Sequence, residues 1–242
     1  MHTATDTLLT LWEAGLGRAA QQRDSALLNA ANPGVVAPRA LDQRNAALID
    51  LHVRLFGPAI DLLSHCPACA TPVEFSGDGP ALREAIAGPD TAATQHFEWQ
   101  GHAIEFLLPD AEAVAIAVRQ SHQRPDAFVT ALLERCVIGC VRNGVAVPTR
   151  ELPPPLLDAL SRRMETLAPG ASLSFALQCP QCATRWDAAL DAGEVVWGRL
   201  QAAAERLLLD VDALARSYGW SEPEVLALSP QRRAAYLQMA LA

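Results

Sequence analysis

Four cysteines in two short, nearly identical segments are the residues of this sequence with the clearest chemical potential. Both segments read C-P-x-C-A-T, first with Cys66 and Cys69 and then with Cys179 and Cys182. A C-x-x-C turn places two sulfurs on one side of a tight loop, where both can bind one tetrahedral zinc ion. One turn supplies half of a closed site, so the two turns together supply four thiolates. The spacing therefore predicts a structural Zn2+ site in which no position is left for water.

Other uses of the cysteines are less favoured by the sequence. A redox-active C-x-x-C motif opens a helix in a βαβ context, whereas β-type residues flank each of these turns on at least one side. Unrelated buried cysteines are the remaining alternative. His65 is interpreted as a neighbour of the site, not as a ligand. Cys136 and Cys140 fall at i and i+4 of a predicted helix, and we interpret them as core residues on one helix face.

The sequence around these turns predicts an α+β fold in which most of the residues are helical. The two C-P-x-C knuckles form a zinc-ribbon-like β element that carries a large helical and β-hairpin insertion. The predicted parts are an N-terminal helical region at 1–63, the discontinuous ribbon-like element at 64–78 and 172–191, the insertion at 79–171, and C-terminal helices at 192–242.

Apolar periodicity and turn residues place the individual elements. Helices are predicted at about 7–17, 18–31, 38–63, 110–122, 125–142, 156–167 and 193–218. A β-hairpin is predicted at 96–108 around Gln100 and Gly101, and strands flank Cys179. Two short helices end the chain: Ser221 and Glu224 fit a capping box, and Ser229 precedes a proline at the first helical position.

Composition and charge narrow the classes of partner. The chain has 242 residues and a formal net charge of −8, and arginine supplies all 19 basic side chains. Proteins that bind nucleic acid or anionic membranes depend on basic groups that neutralise phosphates, so we expect neither partner. The N-terminal segment does not resemble a signal peptide, and no apolar run approaches the length of a membrane span. A cytoplasmic location follows as an expectation, and in that reducing compartment paired cysteines favour metal over disulfides.

Catalytic motifs are missing from the sequence. It contains no G-x-S-x-G, H-E-x-x-H, G-x-x-x-x-G-K-[ST] or G-x-G-x-x-G pattern. The carboxylates Asp187, Asp191 and Glu194 are interpreted as a solvated helix start, because acidic groups there favour the helix dipole. We therefore expect no enzymatic activity.

Several segments together resemble one protein family. They are LLTLWEAGLGR near the start, the two C-P-x-C turns, ALLERCV in the middle, and YGWSEPEVLALSPQRRAAYL at the end. The sequence is similar to the baseplate hub assembly chaperone family of T-even-like phages, in the branch associated with phage-derived contractile injection systems. The resemblance spans almost the whole chain. It implies a non-catalytic role in building the hub or central spike of a contractile apparatus.

A protein of this kind binds another protein, here a baseplate hub or spike component. The candidate contact residues are Trp12, Trp220 and Tyr236, near the ends of helical segments, because Trp and Tyr are favoured at interfaces. Core packing is the alternative for each of them. Two other functions stay open: a permanent baseplate component, and a zinc-ribbon regulator that binds nucleic acid or a polymerase.

Overall fold

The computed structural model describes residues 4–86, 94–121 and 124–240. Within these ranges helices predominate and the strands form small antiparallel sheets, which confirms the mixed α+β class. The helices are α1 Ala4–Gly15, α2 Ala20–Ala31, α3 Leu41–Phe56, α4 Gly79–Ile86, α5 Ala111–Ser121, α6 Pro125–Cys136, α7 Pro154–Leu167, α8 Ala192–Tyr218, α9 Glu222–Leu226 and α10 Pro230–Ala240. The strands are β1 Ala59–His65, β2 Pro72–Asp78, β3 Gln95–Trp99, β4 His102–Phe106, β5 Val137–Arg142, β6 Val145–Ala146, β7 Leu173–Gln178 and β8 Arg185–Leu190.

The chain divides into two compact units. One contains the described parts of 1–36 and 193–242, and the other contains those of 37–192. The predicted boundary at residue 63 differs from this division, because α1 and α2 group with α8, α9 and α10, while α3 belongs with the strands. In the described part of the chain, no helix is both long and apolar enough to cross a bilayer.

The first unit is helical and packs around α8. Apolar residues recur along α8 at helical spacing, so that Leu200, Ala204 and Leu214 are fully buried. Leu9 of α1 and Leu226 of α9 pack with α8 in one apolar cluster. The terminal helices therefore form a common core although most of the sequence separates them.

The second unit contains a sheet in the order β3-β4-β5-β6. The predicted hairpin is confirmed: β3 and β4 pair antiparallel around Gln100 and Gly101, which both adopt positive φ. One face of the sheet buries Ile104 and Phe106 against α6 and α7. This apolar cluster is the core of the insertion between the two cysteine turns.

Two predicted helices end earlier than the sequence pattern indicated. The helix predicted to reach residue 63 stops at Phe56, because Gly57 adopts a left-handed φ of 92° and Pro58 cannot continue the helix. Residues 59–65 are strand β1 instead. The helix predicted at 125–142 stops at Cys136, and β5 follows directly and pairs with β4. Val137, Ile138 and Val141 explain this second change, since β-branched residues favour strands.

Candidate metal centre

The first cysteine turn closes an antiparallel hairpin made of β1 and β2. The last strand pair is His65 with Pro72, and the turn lies between them. The backbone N–H of Cys66 donates to the carbonyl of Thr71 at 2.9 Å, and the N–H of Ala70 donates to the carbonyl of Cys66 at 2.8 Å. Ala70 takes a left-handed φ of 57°. The turn therefore folds back tightly, with both of its cysteines at the tip of the hairpin.

The second turn repeats this geometry at the tip of the hairpin of β7 and β8. The N–H of Cys179 donates to the carbonyl of Thr184 at 2.9 Å, and the N–H of Ala183 donates to the carbonyl of Cys179 at 3.0 Å. Ala183 has a φ of 59°, within a few degrees of its counterpart in the first turn. The repeated C-P-x-C-A-T sequence thus encodes one local structure twice.

The two tips bring four sulfurs into one cluster. Ligand atoms of Cys66, Cys69, Cys179 and Cys182 all lie within 4.8 Å of one another. Three distances across the hairpins are 3.5 Å for Cys66 to Cys182, 3.5 Å for Cys69 to Cys182 and 3.6 Å for Cys69 to Cys179. All six cysteines of the chain are free. Sequence reasoning therefore selected four residues that the fold does bring together.

These distances fit a tetrahedral metal site. Four sulfurs bound at about 2.3 Å to one zinc ion would be about 3.8 Å apart along each edge of the tetrahedron. The three distances given above are slightly shorter than this edge, all separations stay within 4.8 Å, and each of the three is far longer than the about 2.05 Å of a disulfide bond. Thiolates are soft ligands that select zinc or iron over magnesium or calcium. The cluster is therefore a possible metal site with four protein ligands.

Hydrogen bonds favour the thiolate form of Cys69 and Cys182, the second cysteine of each turn. The Sγ of Cys182 lies 3.2 Å from the hydroxyl of Thr184, and the Sγ of Cys69 lies 3.2 Å from the hydroxyl of Thr71. The Thr184 hydroxyl and backbone N–H lower the pKa of Cys182 to about 6, and the same groups of Thr71 lower the pKa of Cys69. Burial has the opposite effect at Cys66, whose pKa rises to about 11. A cation would supply the stabilisation that a buried thiolate at Cys66 needs.

Contacts beside the sulfurs also join the two hairpins. The side chains of Thr71 and Gln181 are joined by a hydrogen bond. The indole N–H of Trp186 donates to the hydroxyl of Ser64 at 3.3 Å. Sequence reasoning missed these residues, although the threonine of each C-P-x-C-A-T phrase was visible as part of the repeat.

Cys136 and Cys140 lie away from the centre. Both are buried in the apolar core of the insertion, which agrees with the predicted packing role. Their predicted place on one helix face is wrong, because Cys136 ends α6 and Cys140 lies in β5. Burial raises the pKa of Cys136 to about 12, as expected for a thiol surrounded by apolar groups.

The residues predicted to contact a partner occupy two kinds of environment. Trp12 is partly buried and packs against the α1–α8 cluster. Trp220 and Tyr236 are partly exposed and touch edge to face with centroids 4.8 Å apart, while Tyr218 stacks on Trp220 at 4.8 Å. Sequence reasoning did not select Tyr218. The three rings form a continuous group at the end of the chain, which we call the aromatic cluster.

Comparison of the chain with models of known protein families, with curated proteins and with solved structures gives no match.

Proposed function

We propose that Cys66, Cys69, Cys179 and Cys182 bind one zinc ion with a structural role. The observation that carries this proposal is the convergence of four sulfurs from two hairpin tips within 4.8 Å. A closed set of four thiolates leaves no coordination position for water or substrate, which is the arrangement of structural and not catalytic zinc. The ion would join two hairpins that are far apart in sequence. Two hairpins held by one ion resemble a zinc ribbon in this respect.

The proposed biological role is that of a non-enzymatic assembly factor. We propose that the protein acts in the cytoplasm as a chaperone for the baseplate hub or spike of a phage-tail-like contractile injection system, which it binds as a partner protein. This proposal is supported by the sequence resemblance and by the aromatic cluster, whose rings belong to the quoted C-terminal segment. Tyr and Trp side chains that remain partly exposed offer large contact areas at low cost in conformational entropy.

Metal analysis tests the zinc proposal. The full-length protein, purified without added metal or chelator, is expected to contain about one zinc per chain. Replacing the buried ligand in Cys179→Ser should reduce the zinc content below about a tenth of that, since three thiolates do not close the site. Cys140→Ala is the matched control, because Cys140 is also buried but lies in another core, and it should retain the zinc. Iron in place of zinc, or an equal loss in both variants, would contradict the proposal.

Affinity capture from a host that produces the contractile apparatus tests the assembly role. The expected result is recovery of hub or spike proteins in small soluble complexes, with several-fold less recovery for Trp220→Ala. Val145→Ala is the control, because Val145 is 68% exposed in the other unit. Recovery in finished particles would instead identify a permanent baseplate component. Polymerase subunits or nucleic acid among the captured partners would contradict the assembly role and favour a zinc-ribbon regulator.

A further inference from the structure

The four sulfurs of the centre differ in their exposure to solvent. Cys66 and Cys179, the first cysteine of each turn, are 2% exposed. Cys69 and Cys182, the second cysteine of each turn, are exposed. The centre therefore has a buried side and an open side, and each hairpin contributes one sulfur to each side.

The two exposed sulfurs are also a close pair. The Sγ atoms of Cys69 and Cys182 lie 3.5 Å apart, although 113 positions separate the residues in sequence. The hydrogen bond between the side chains of Thr71 and Gln181 links the two turns close to these cysteines in sequence. A modest movement of two side chains would bring the sulfurs to the about 2.05 Å of a disulfide bond.

We propose that Cys69 and Cys182 are the oxidation site of the centre, where a peroxide converts them to a disulfide between the hairpins and the zinc ion is released. This inference rests on the proposed zinc site. The other close pairs each include a buried sulfur, so a peroxide reaches them less readily. Oxidation of a cysteine requires that the oxidant can reach its sulfur, and only the sulfurs of the open side are exposed.

The chemistry requires one peroxide for each centre. The thiolate of Cys182 attacks one peroxide oxygen, the O–O bond breaks, and the departing hydroxide takes a proton and leaves as water. The sulfur is now a sulfenic acid, two electrons more oxidised. The thiolate of Cys69 attacks this sulfur, the S–O bond breaks, and a second hydroxide leaves as water after protonation. Cys69 can equally attack the peroxide first, and Cys182 then attacks the sulfenic acid.

Loss of two thiolates releases the metal but does not separate the hairpins. Cys66 and Cys179 remain as two ligands, which do not make a closed zinc site. The new covalent bond connects the same two turns that the ion connected. The oxidised centre would thus keep the hairpins together without metal, and a dithiol reductant with zinc would restore the original state.

Tryptic mapping of the zinc-loaded, full-length protein identifies the disulfide. The sequence has no arginine or lysine between Arg54 and Arg83, or between Arg163 and Arg185. Residues 55–83 and 164–185 are therefore single peptides, and each contains both cysteines of one turn. After treatment with one equivalent of hydrogen peroxide and alkylation of the remaining thiols, a disulfide between the hairpins joins the two peptides. A disulfide within one turn leaves them separate.

The expected result is about one zinc released per peroxide consumed, with the joined peptides linked through Cys69 and Cys182 on fragmentation. Separate peptides, a link through Cys66 or Cys179, or zinc release without a disulfide would each overturn the inference. Protein that contains no zinc before treatment would instead contradict the proposed metal site itself, so the two failures are distinguishable.

A ligand-preserving variant supplies a second, independent measurement. Cys69→His keeps a group able to bind zinc but removes one exposed thiol. We expect it to retain zinc and to release it at least about tenfold more slowly on peroxide addition. The control is Met239→Leu, which removes a thioether that is 60% exposed and oxidisable. An unchanged rate of zinc release in Cys69→His, or a slower rate in the control, would overturn the assignment of Cys69 and Cys182 as the oxidation site.

Discussion

The ring of Phe75 meets the ring of Phe175 edge to face, with centroids 5.2 Å apart and planes at 63°. Phe75 lies in β2 and Phe175 lies in β7, so the contact joins the two hairpins away from the cysteines. Gly77 leaves room for it, because a Cβ there would be 3.0 Å from the Phe175 ring. The hairpins are therefore held by an apolar contact in addition to the candidate metal centre.

Removing one of these rings should destabilise the unit without abolishing metal binding. Phe175→Ala is expected to lower the free energy of unfolding by about 2 kcal/mol, through lost apolar burial and a lost aromatic pair. Leu63→Ala is the control in the facing hairpin, because Leu63 is 58% exposed and should change stability by less than about 0.5 kcal/mol. Urea denaturation with a parallel zinc assay measures both effects. Similar losses for the two variants would contradict the role of the ring contact.

Removing the metal should lower the thermal stability of the protein only when the four cysteines are intact. A strong chelator is expected to lower the thermal midpoint of the wild-type protein by roughly 5 °C or more, since an ion that binds only the folded state stabilises it. Cys66→Ser should start from a similarly lowered midpoint and show no further change with chelator. Differential scanning calorimetry makes the comparison. A chelator effect that persists in Cys66→Ser would place the metal elsewhere in the chain.

The pKa of the Cys182 thiol predicts how its alkylation rate depends on pH in the reduced, metal-free protein. Because the Thr184 hydrogen bonds lower this pKa to about 6, Cys182 is a thiolate at neutral pH and gains a proton as the pH falls through about 6. Its alkylation rate should therefore be level above about pH 7 and fall about tenfold per pH unit below the pKa.

Isosteric threonine variants test the cause of this shift. Thr184→Val removes the hydroxyl but keeps the backbone, so the pKa of Cys182 should rise and its alkylation at pH 6 should slow several-fold. Thr71→Val, the matching change in the other turn, should act mainly on Cys69. Rates of alkylation at each cysteine, followed by peptide mass spectrometry, separate the two effects. An unchanged Cys182 profile in Thr184→Val would show that the hydroxyl does not set the pKa.

The features that could be predicted from sequence are those that local rules determine. The C-P-x-C-A-T repeat predicts two similar turns because the same residues impose the same backbone, including the left-handed alanine. The capping box is confirmed: the backbone N–H of Ser221 donates to Glu224 at 2.8 Å at the start of α9. Both involve groups only a few residues apart, so no knowledge of the tertiary fold is needed.

The features that could not be predicted depend on distant partners. Cys140 fits a helical pattern as well as a strand pattern, and pairing with Ile104 of β4 decides between them. The exposure of Cys69 and burial of Cys66 follow from how the two hairpins meet, which spacing does not encode. The union of the N- and C-terminal helices in one unit likewise requires the contacts of α8, not its periodicity alone.

One of those contacts brings α2 against the beginning of α8. The carboxylate of Asp24, which is 2% exposed, lies directly on Gly193, and a Cβ at Gly193 would overlap its oxygens. Beside it, Arg23 donates a hydrogen bond at 2.7 Å to Glu194. Only glycine at position 193 lets the buried carboxylate approach the N-terminal end of the helix, where acidic groups are favoured by the helix dipole.

Two glycine-to-alanine changes in α8 should therefore have opposite effects. Gly193→Ala is expected to destabilise the protein by about 2 kcal/mol, because the added methyl group displaces the Asp24 carboxylate from a packed site. Gly198→Ala, five residues later, adds a methyl group that meets no atom within 4 Å apart from its chain neighbours and the adjacent helix backbone, and it should stabilise the helix by about 0.5–1 kcal/mol. Chemical denaturation of both variants gives the comparison. If Gly193→Ala proved as stable as Gly198→Ala, the close approach of Asp24 to α8 would be ruled out.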